Sequence, residues 1–179
     1  LTECGVRRAR VSLSIKDVLH SDRTRPLWPV CSGVPIPQGH LSSSGKCRLL
    51  ATEGNPIPAQ FSELAHWPDG SVKWVLISTV VPSGETGYTL EYGQEISTLP
   101  VDQPITIAES ADTLEIDAGR VRVRLSKSRF CPPGDLWIDN KKVLDGSGEG
   151  LTLLDEHGNR FTSTADAPVE VTIEERGPI

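Results

Sequence analysis

Hydrophobic and polar positions alternate with a period of two along most of this chain, in short runs broken by Gly, Pro, Asp and Asn. No run keeps the three-to-four spacing of an amphipathic helix over a useful length, so the pattern predicts short strands joined by tight turns. The clearest signal lies in residues 55–82. Ala59, Phe61, Glu63, Ala65 and Trp67 share one parity before Pro68-Asp69-Gly70-Ser71, and Val72, Trp74, Leu76, Ser78 and Val80 share one parity after it. Two strands meeting at one turn are predicted, with Pro68 presetting φ, Asp69 bonding nearby backbone and Gly70 supplying a positive φ. Phe61, Trp67 and Trp74 are the expected core of this hairpin, each contributing on the order of 1.5–3 kcal/mol when buried.

The flanking pattern extends the same reading. Residues 6–15 form a strand with Ala9, Val11, Leu13 and Ile15 on one face, and residues 16–22 are the one plausible helical turn. Residues 25–39 contain four prolines, which remove too many donors for a central strand and predict an extended edge or loop. A short strand follows at 46–51, with its turn at 52–55. Pro-Ile-Pro occurs at 35–37 and again at 56–58, either an echo of a pseudo-twofold barrel or a chance recurrence in a proline-rich chain. After residues 87–93 the alternation gives way to a polar stretch, 94–104, with two prolines. It predicts a boundary, with one domain at 1–97 and a second at 98–179. Hairpins then follow in series: 113–117 with 120–125, 136–139 with 142–144, 151–154 with 161, and a last strand at 169–174. The expected fold is all-β: a six- or seven-stranded barrel, then an incomplete antiparallel β-sandwich that stops in mid-domain.

Composition supports this reading, and charge narrows the partners. The chain has 179 residues, with 14 Pro, 16 Gly and no Met. Through Ser97 nine Lys/Arg balance nine Asp/Glu, and from Thr98 nine face fifteen, which accounts for the net charge of −6. An acidic second half repels phosphate backbones, so no nucleic-acid partner is expected. No apolar run is long enough for a membrane span or a signal core, and no membrane partner is expected. A start at Leu1 is compatible with an upstream targeting segment, and a secreted or periplasmic address is the expectation. Cys4, Cys31, Cys47 and Cys131 form no CxxC and have no histidine at finger or ribbon spacing, so no metal site is predicted. Buried free thiols are expected, with a Cys31–Cys47 or Cys4–Cys47 bridge as the alternative.

Candidate chemistry is sparse. Arg120, Arg122 and Arg124 alternate with Val121, Val123 and Leu125, placing three guanidiniums on one side of a strand. Such a ladder suits bidentate carboxylate recognition; equally, it pairs across strands with Glu115, Asp117 or the acidic last strand. Trp28 and Trp137 are the indoles least explained by the first core, with Tyr88 and Tyr92 as further candidates for a sugar-facing surface, set against ordinary core packing. His66, Glu174-Glu175 and Asp135/Asp139 are the candidate acid and base groups, although adjacent carboxylates on a strand point to opposite faces. His40 and His157 fall in turns and are expected to be solvated. GxSxG, P-loop and HExxH motifs are absent, and no catalytic residue and no cofactor is expected.

The stretch Gly33-Val34-Pro35-Ile36-Pro37-Gln38-Gly39, the strand Pro58-Ala59-Gln60-Phe61 and above all Trp67-Pro68-Asp69-Gly70-Ser71-Val72-Lys73-Trp74-Val75 resemble the N-terminal barrel of the exo-rhamnogalacturonan lyase (PcRGLX/YetA-like) family, associated with polysaccharide lyase family 26. Leu114-Glu115-Ile116-Asp117-Ala118-Gly119, Leu136-Trp137-Ile138-Asp139 and residues 171–178 are similar to the opening strands of that family's central sandwich. The resemblance implies a RIFT-type barrel, the start of a sandwich, and a following α/α-toroid that, with the sandwich, forms the cleaving part. It implies an accessory region of a carbohydrate-active protein whose partners are a pectic polysaccharide and the protein's own C-terminal domains. The alternatives are a binding module for uronate-containing glycans and part of an active site completed by the toroid. Flavin binding by likeness to the barrel class is a fold-level inference alone.

Overall fold

The computed structural model describes residues 5–16, 26–102, 104–165 and 170–179. The expected helical turn at 16–22 lies, beyond Lys16, outside the described residues, as does Cys4. The chain divides into two compact units, Leu1–Asp102 and Gln103–Pro178. The first therefore runs past Ser97: Ile96 is buried, and the Thr98 hydroxyl donates to the Cys47 carbonyl at 3.0 Å.

The described residues of the first unit form seven strands: β1 (Ala9–Ser14), β2 (Leu27–Pro35), β3 (Cys47–Ala51), β4 (Pro56–Ile57), β5 (Ala59–His66), β6 (Val72–Pro82) and β7 (Gly87–Tyr92). They pair antiparallel as two sheets, ordered β1-β7-β3-β4 and β2-β6-β5. Alternation builds the barrel core: Tyr88, Leu90 and Tyr92 of β7 point inward with Cys47 and Leu49 of β3 and Val75, Ile77 and Val81 of β6, and Ala9, Val11 and Leu13 of β1 pack against them. The prolines of β2 are tolerated because β2 is an edge strand, paired only with β6.

The β5–β6 hairpin turns where the sequence predicts. Trp67 N–H donates to Ser71 O at 2.8 Å and Gly70 N–H to Trp67 O at 2.9 Å. Gly70 has φ +82, and Asp69 Oδ1 accepts both the N–H and the hydroxyl of Ser71 at 3.0 and 2.6 Å. The expected aromatic core needs correction. Phe61 and Trp67 are half-buried, and Trp74 is 38% exposed. The pairing slips between Glu63 and His66, and such a bulge inserts one residue and reverses the facing of the positions beyond it. The slip brings Val72 inward; from Val75 on, β6 alternates regularly with Val75, Ile77 and Val81 inside, so Trp74 stands outside, its ring beside Gly33.

The second unit is one antiparallel sheet of β8 (Thr106–Glu109), β9 (Thr113–Asp117), β10 (Val121–Ser126), β11 (Asp135–Ile138) and β12 (Lys141–Leu144), ordered β12-β11-β10-β9-β8, with a separate hairpin of β13 (Thr152–Leu154) and β14 (Arg160–Thr162). The three predicted hairpins are present; β8, four residues long, is too short to declare a period. The expected strand at 169–174 is not formed in its described part, 170–174, which pairs with no ladder. The sheet register puts Ile107, Leu114, Ile116, Val121, Val123, Leu125, Leu136, Ile138 and Leu144 on one face. That face is thinly covered. Of the sixteen buried hydrophobic residues described, only Leu114 belongs to this unit, whereas nine of the thirteen exposed large hydrophobics do. The chain is all-β, a barrel followed by a five-stranded antiparallel sheet and a separate hairpin.

Candidate carboxylate-binding surface

The face of the second sheet opposite the apolar one carries the predicted cations. Antiparallel register sets Arg122 beside Trp137 on β11 and Asp117 on β9, and Arg124 beside Asp135 and Glu115. The turn between β11 and β12 has two residues, Asp139 and Asn140, with φ of +47 and +65, the conformation of a tight twisted hairpin. A two-residue turn forces Lys142 opposite Trp137. Three cations thus surround one half-buried indole: Arg122 lies 4.6 Å from its ring centre, and Arg124 and Lys142 each 5.3 Å. Cations over an indole face are held by the ring's negative π density.

Most of this charge is already answered. Arg124 bonds Glu115 at 2.7 Å, and Lys142 bonds Asp135 at 2.9 Å. The N–H of Gly146, then Lys142, hold the Asp135 carboxyl below its ordinary value. Arg122 differs: its Nε is buried without a hydrogen-bond partner. Arg120 stands apart, outside the ladder at the hairpin end, forked onto Asp139 at 2.8 and 2.7 Å. The sequence pattern put Arg122 and Arg124 on one side of a strand and named Trp137 separately; the register brings the three together and adds Lys142, which the turn length alone identifies.

The remaining candidates fall elsewhere. Trp28 belongs to the first unit and packs against the barrel core. Tyr88 and Tyr92 are buried, which corrects their place on a sugar-facing surface; burial, with Glu85 accepting from its hydroxyl, pushes Tyr88 up to about 12. His66 bonds Glu63 at 2.9 Å on the outside of β5. His40, expected to be solvated, has a buried Nδ1. Cys31, Cys47 and Cys131 are free thiols, so the Cys31–Cys47 bridge is absent. Cys31 is exposed rather than buried, because β2 turns it outward opposite Ser78, whereas burial pushes the Cys47 thiol up to about 12.

A cleft of about 250 Å³ at one end of the second sheet is lined in part by Thr113, Arg124, Ser126, Arg129 and Asp135. It falls below the roughly 300 Å³ at which small-molecule pockets begin. The Arg129 guanidinium is already bonded to the carbonyls of Gly146, Ser147 and Gly148. Among the described residues no group of His, Cys, Asp and Glu stands together as a metal-ligand set, and no helix is long and apolar enough to cross a membrane.

Comparison with known proteins agrees with the barrel. Residues 18–93 match the PcRGLX-like N-terminal RIFT barrel domain. The chain is also 23% identical over 159 residues to the uncharacterized protein YetA of Bacillus subtilis (strain 168), an alignment that covers 82% of this chain and 18% of YetA. The chain thus spans less than a fifth of the relative that it matches. The barrel, its Trp67–Ser71 turn and the family-model match together place a PcRGLX-like N-terminal RIFT barrel domain over residues 18–93, and the chain as a whole is similar to YetA.

Proposed function

We propose that this chain is a non-catalytic, N-terminal accessory region of a carbohydrate-active protein of the polysaccharide-lyase type, directed at rhamnogalacturonan-like pectic glycans. The observation that carries this reading is the apolar face of the second sheet, where Val121, Ile138 and Leu144 are each exposed by 41–46%. Such a face calls for a further protein layer, and the relative is several times longer than the aligned region. The ionisable groups support the same reading. A general acid or base needs a pKa near the working pH, yet among the described residues every carboxylate with a displaced pKa is displaced downward by its hydrogen-bonding partners, as at Glu91, Asp135 and Asp139. Incubated with rhamnogalacturonan, the isolated chain should release no unsaturated product absorbing in the ultraviolet. Its accumulation above an enzyme-free blank would overturn the accessory role.

A second reading, a binding module for uronate-containing glycans, is favoured by one feature, the unpartnered Nε of Arg122 beside Trp137. Against it, Glu115 and Asp135 neutralise the two other cations there.

A further inference from the structure

The outer face of the barrel sheet β1-β7-β3 holds a group of charges that neither the sequence motifs nor the second-sheet surface accounts for. Glu91 sits on the central strand β7, and the register sets Arg10 of β1 on one side of it and Arg48 of β3 on the other. Its side chain is completely covered. Arg8 and Arg10 both donate through Nε to Glu91 Oε1, at 2.7 and 2.9 Å. Arg48 takes the other oxygen, Oε2, through Nε at 3.1 Å and also through Nη2. One bidentate arginine suffices to pair a buried carboxylate, so two guanidiniums here exceed that need.

The surplus has a definite geometry. Among the described residues Arg8 and Arg10 reach Glu91 through Nε alone, leaving their terminal nitrogens unbonded there. The two side chains are 48% and 61% exposed, against 28% for Arg48. The neighbouring Arg7 is paired with Glu95 at 2.7 Å, so among the described residues of this group four guanidiniums face two carboxylates, an excess of two positive charges. Anchoring at Nε orients each planar fork and lowers the ordering cost of a second contact.

We propose that Arg8 and Arg10, held in place by Glu91, form a carboxylate-binding site on the outside of the barrel, which takes the uronate groups of an acidic glycan. The carboxylate is read from the two outward guanidinium forks; the glycan rests on the function proposed above. The low pKa of Glu91, about 2, keeps the anchor charged across the range in which uronates are ionised. Arg48 and Glu91 serve here as positioning residues.

The test is calorimetric titration of the whole chain at low salt with an oligogalacturonate, a neutral galactan oligosaccharide of equal length and a single-stranded DNA oligomer. The oligogalacturonate should bind best, and its binding should weaken as salt rises. Arg8→Gln/Arg10→Gln leaves Arg48 forked onto Glu91 and should weaken binding about tenfold, the loss of two partly exposed charge-assisted contacts. A charge-matched control, Lys141→Gln/Arg160→Gln, at exposed positions placed in no site, should leave it within about twofold, the scatter of surface changes, while Arg122→Gln/Arg124→Gln tests the second-sheet surface separately. Should the first variant melt early, Arg8→Lys/Arg10→Lys keeps the charges, removes the forks and should still bind more weakly than the unaltered chain. The site is refuted by wild-type affinity in the Arg8/Arg10 variants, by a loss confined to the Arg122/Arg124 variant, or by equal binding of galactan or DNA. Failure of the accessory role would appear separately, as unsaturated product in the same mixtures.

Discussion

Trp74 and Leu90 illustrate how burial, rather than size, decides what a side chain contributes. Leu90 is fully enclosed between the two barrel sheets, so Leu90→Ala should cost about 2–5 kcal/mol in transfer energy and residual cavity. Trp74 is larger but lies outside the barrel against Gly33. Trp74→Ala should cost about 1 kcal/mol or less, nearer to a surface change than to the roughly 3–5 kcal/mol of a core aromatic. Urea unfolding of both variants checks the order, and a larger loss at Trp74 than at Leu90 would overturn the outward placement of Trp74. Before folding, the two residues look alike, since each is apolar within an alternating run. Only the barrel's choice of parity separates them: Val75, Ile77 and Val81 take the inside of β6, which leaves Trp74 outside with Leu76, Ser78 and Val80.

At the scale of the element, β7 joins the barrel core to a charged exterior. Its odd and even positions do opposite work: Tyr88, Leu90 and Tyr92 fill the core, while Glu91 binds β1 to β3 through Arg10 and Arg48. Hydrogen bonds from Arg8 above all, then from Arg48 and Arg10, outweigh desolvation and draw Glu91 from the usual 4.5 down to about 2. Because the folded value lies below the unfolded one, the cluster's contribution is complete above about pH 4.5. It is lost as pH falls toward about 2. Thermal unfolding should therefore show a midpoint that drops through this window, and Glu91→Gln should flatten the drop while lowering stability near neutrality, where three guanidiniums lose their counter-charge. An unchanged pH profile in that variant would mean that Glu91 does not set this dependence.

At the scale of the molecule the two units differ in how far each is closed. The first encloses its apolar residues between two sheets; the second leaves Val121, Ile138, Leu144, Leu153 and Phe161 exposed. The isolated chain should therefore bind a hydrophobic dye and scatter light at high concentration. Val121→Thr/Ile138→Thr should reduce both signals while leaving the barrel's unfolding transition in place. If dye binding persists unchanged, the apolar face is covered in solution and calls for no further protein layer.

Much of this was legible before folding. Period-two alternation located β1, β3, β5, β6 and β7 and three hairpins of the second unit, because facing in a strand depends on neighbours one residue apart; the prolines left β2 open between edge strand and loop, and β4 carried no signal of its own. The Trp67–Ser71 turn was equally plain, since Pro68, Asp69 and Gly70 each act on local backbone. The alternation of Arg120, Arg122 and Arg124 with valines and leucine also declared which side of β10 is charged. What the chain order cannot carry is who stands across the ladder. Glu91 reads as one carboxylate between Leu90 and Tyr92, and Arg8, Arg10 and Arg48 as unrelated cations. Their meeting requires β7 to lie between β1 and β3, a pairing of strands far apart in sequence. Lys142 reached Trp137 through a nearer partner, yet still one set by a turn's length rather than by composition. Local periodicity determined the elements; long-range register decided which charges share a face, because ionic recognition depends on distance in space rather than along the chain.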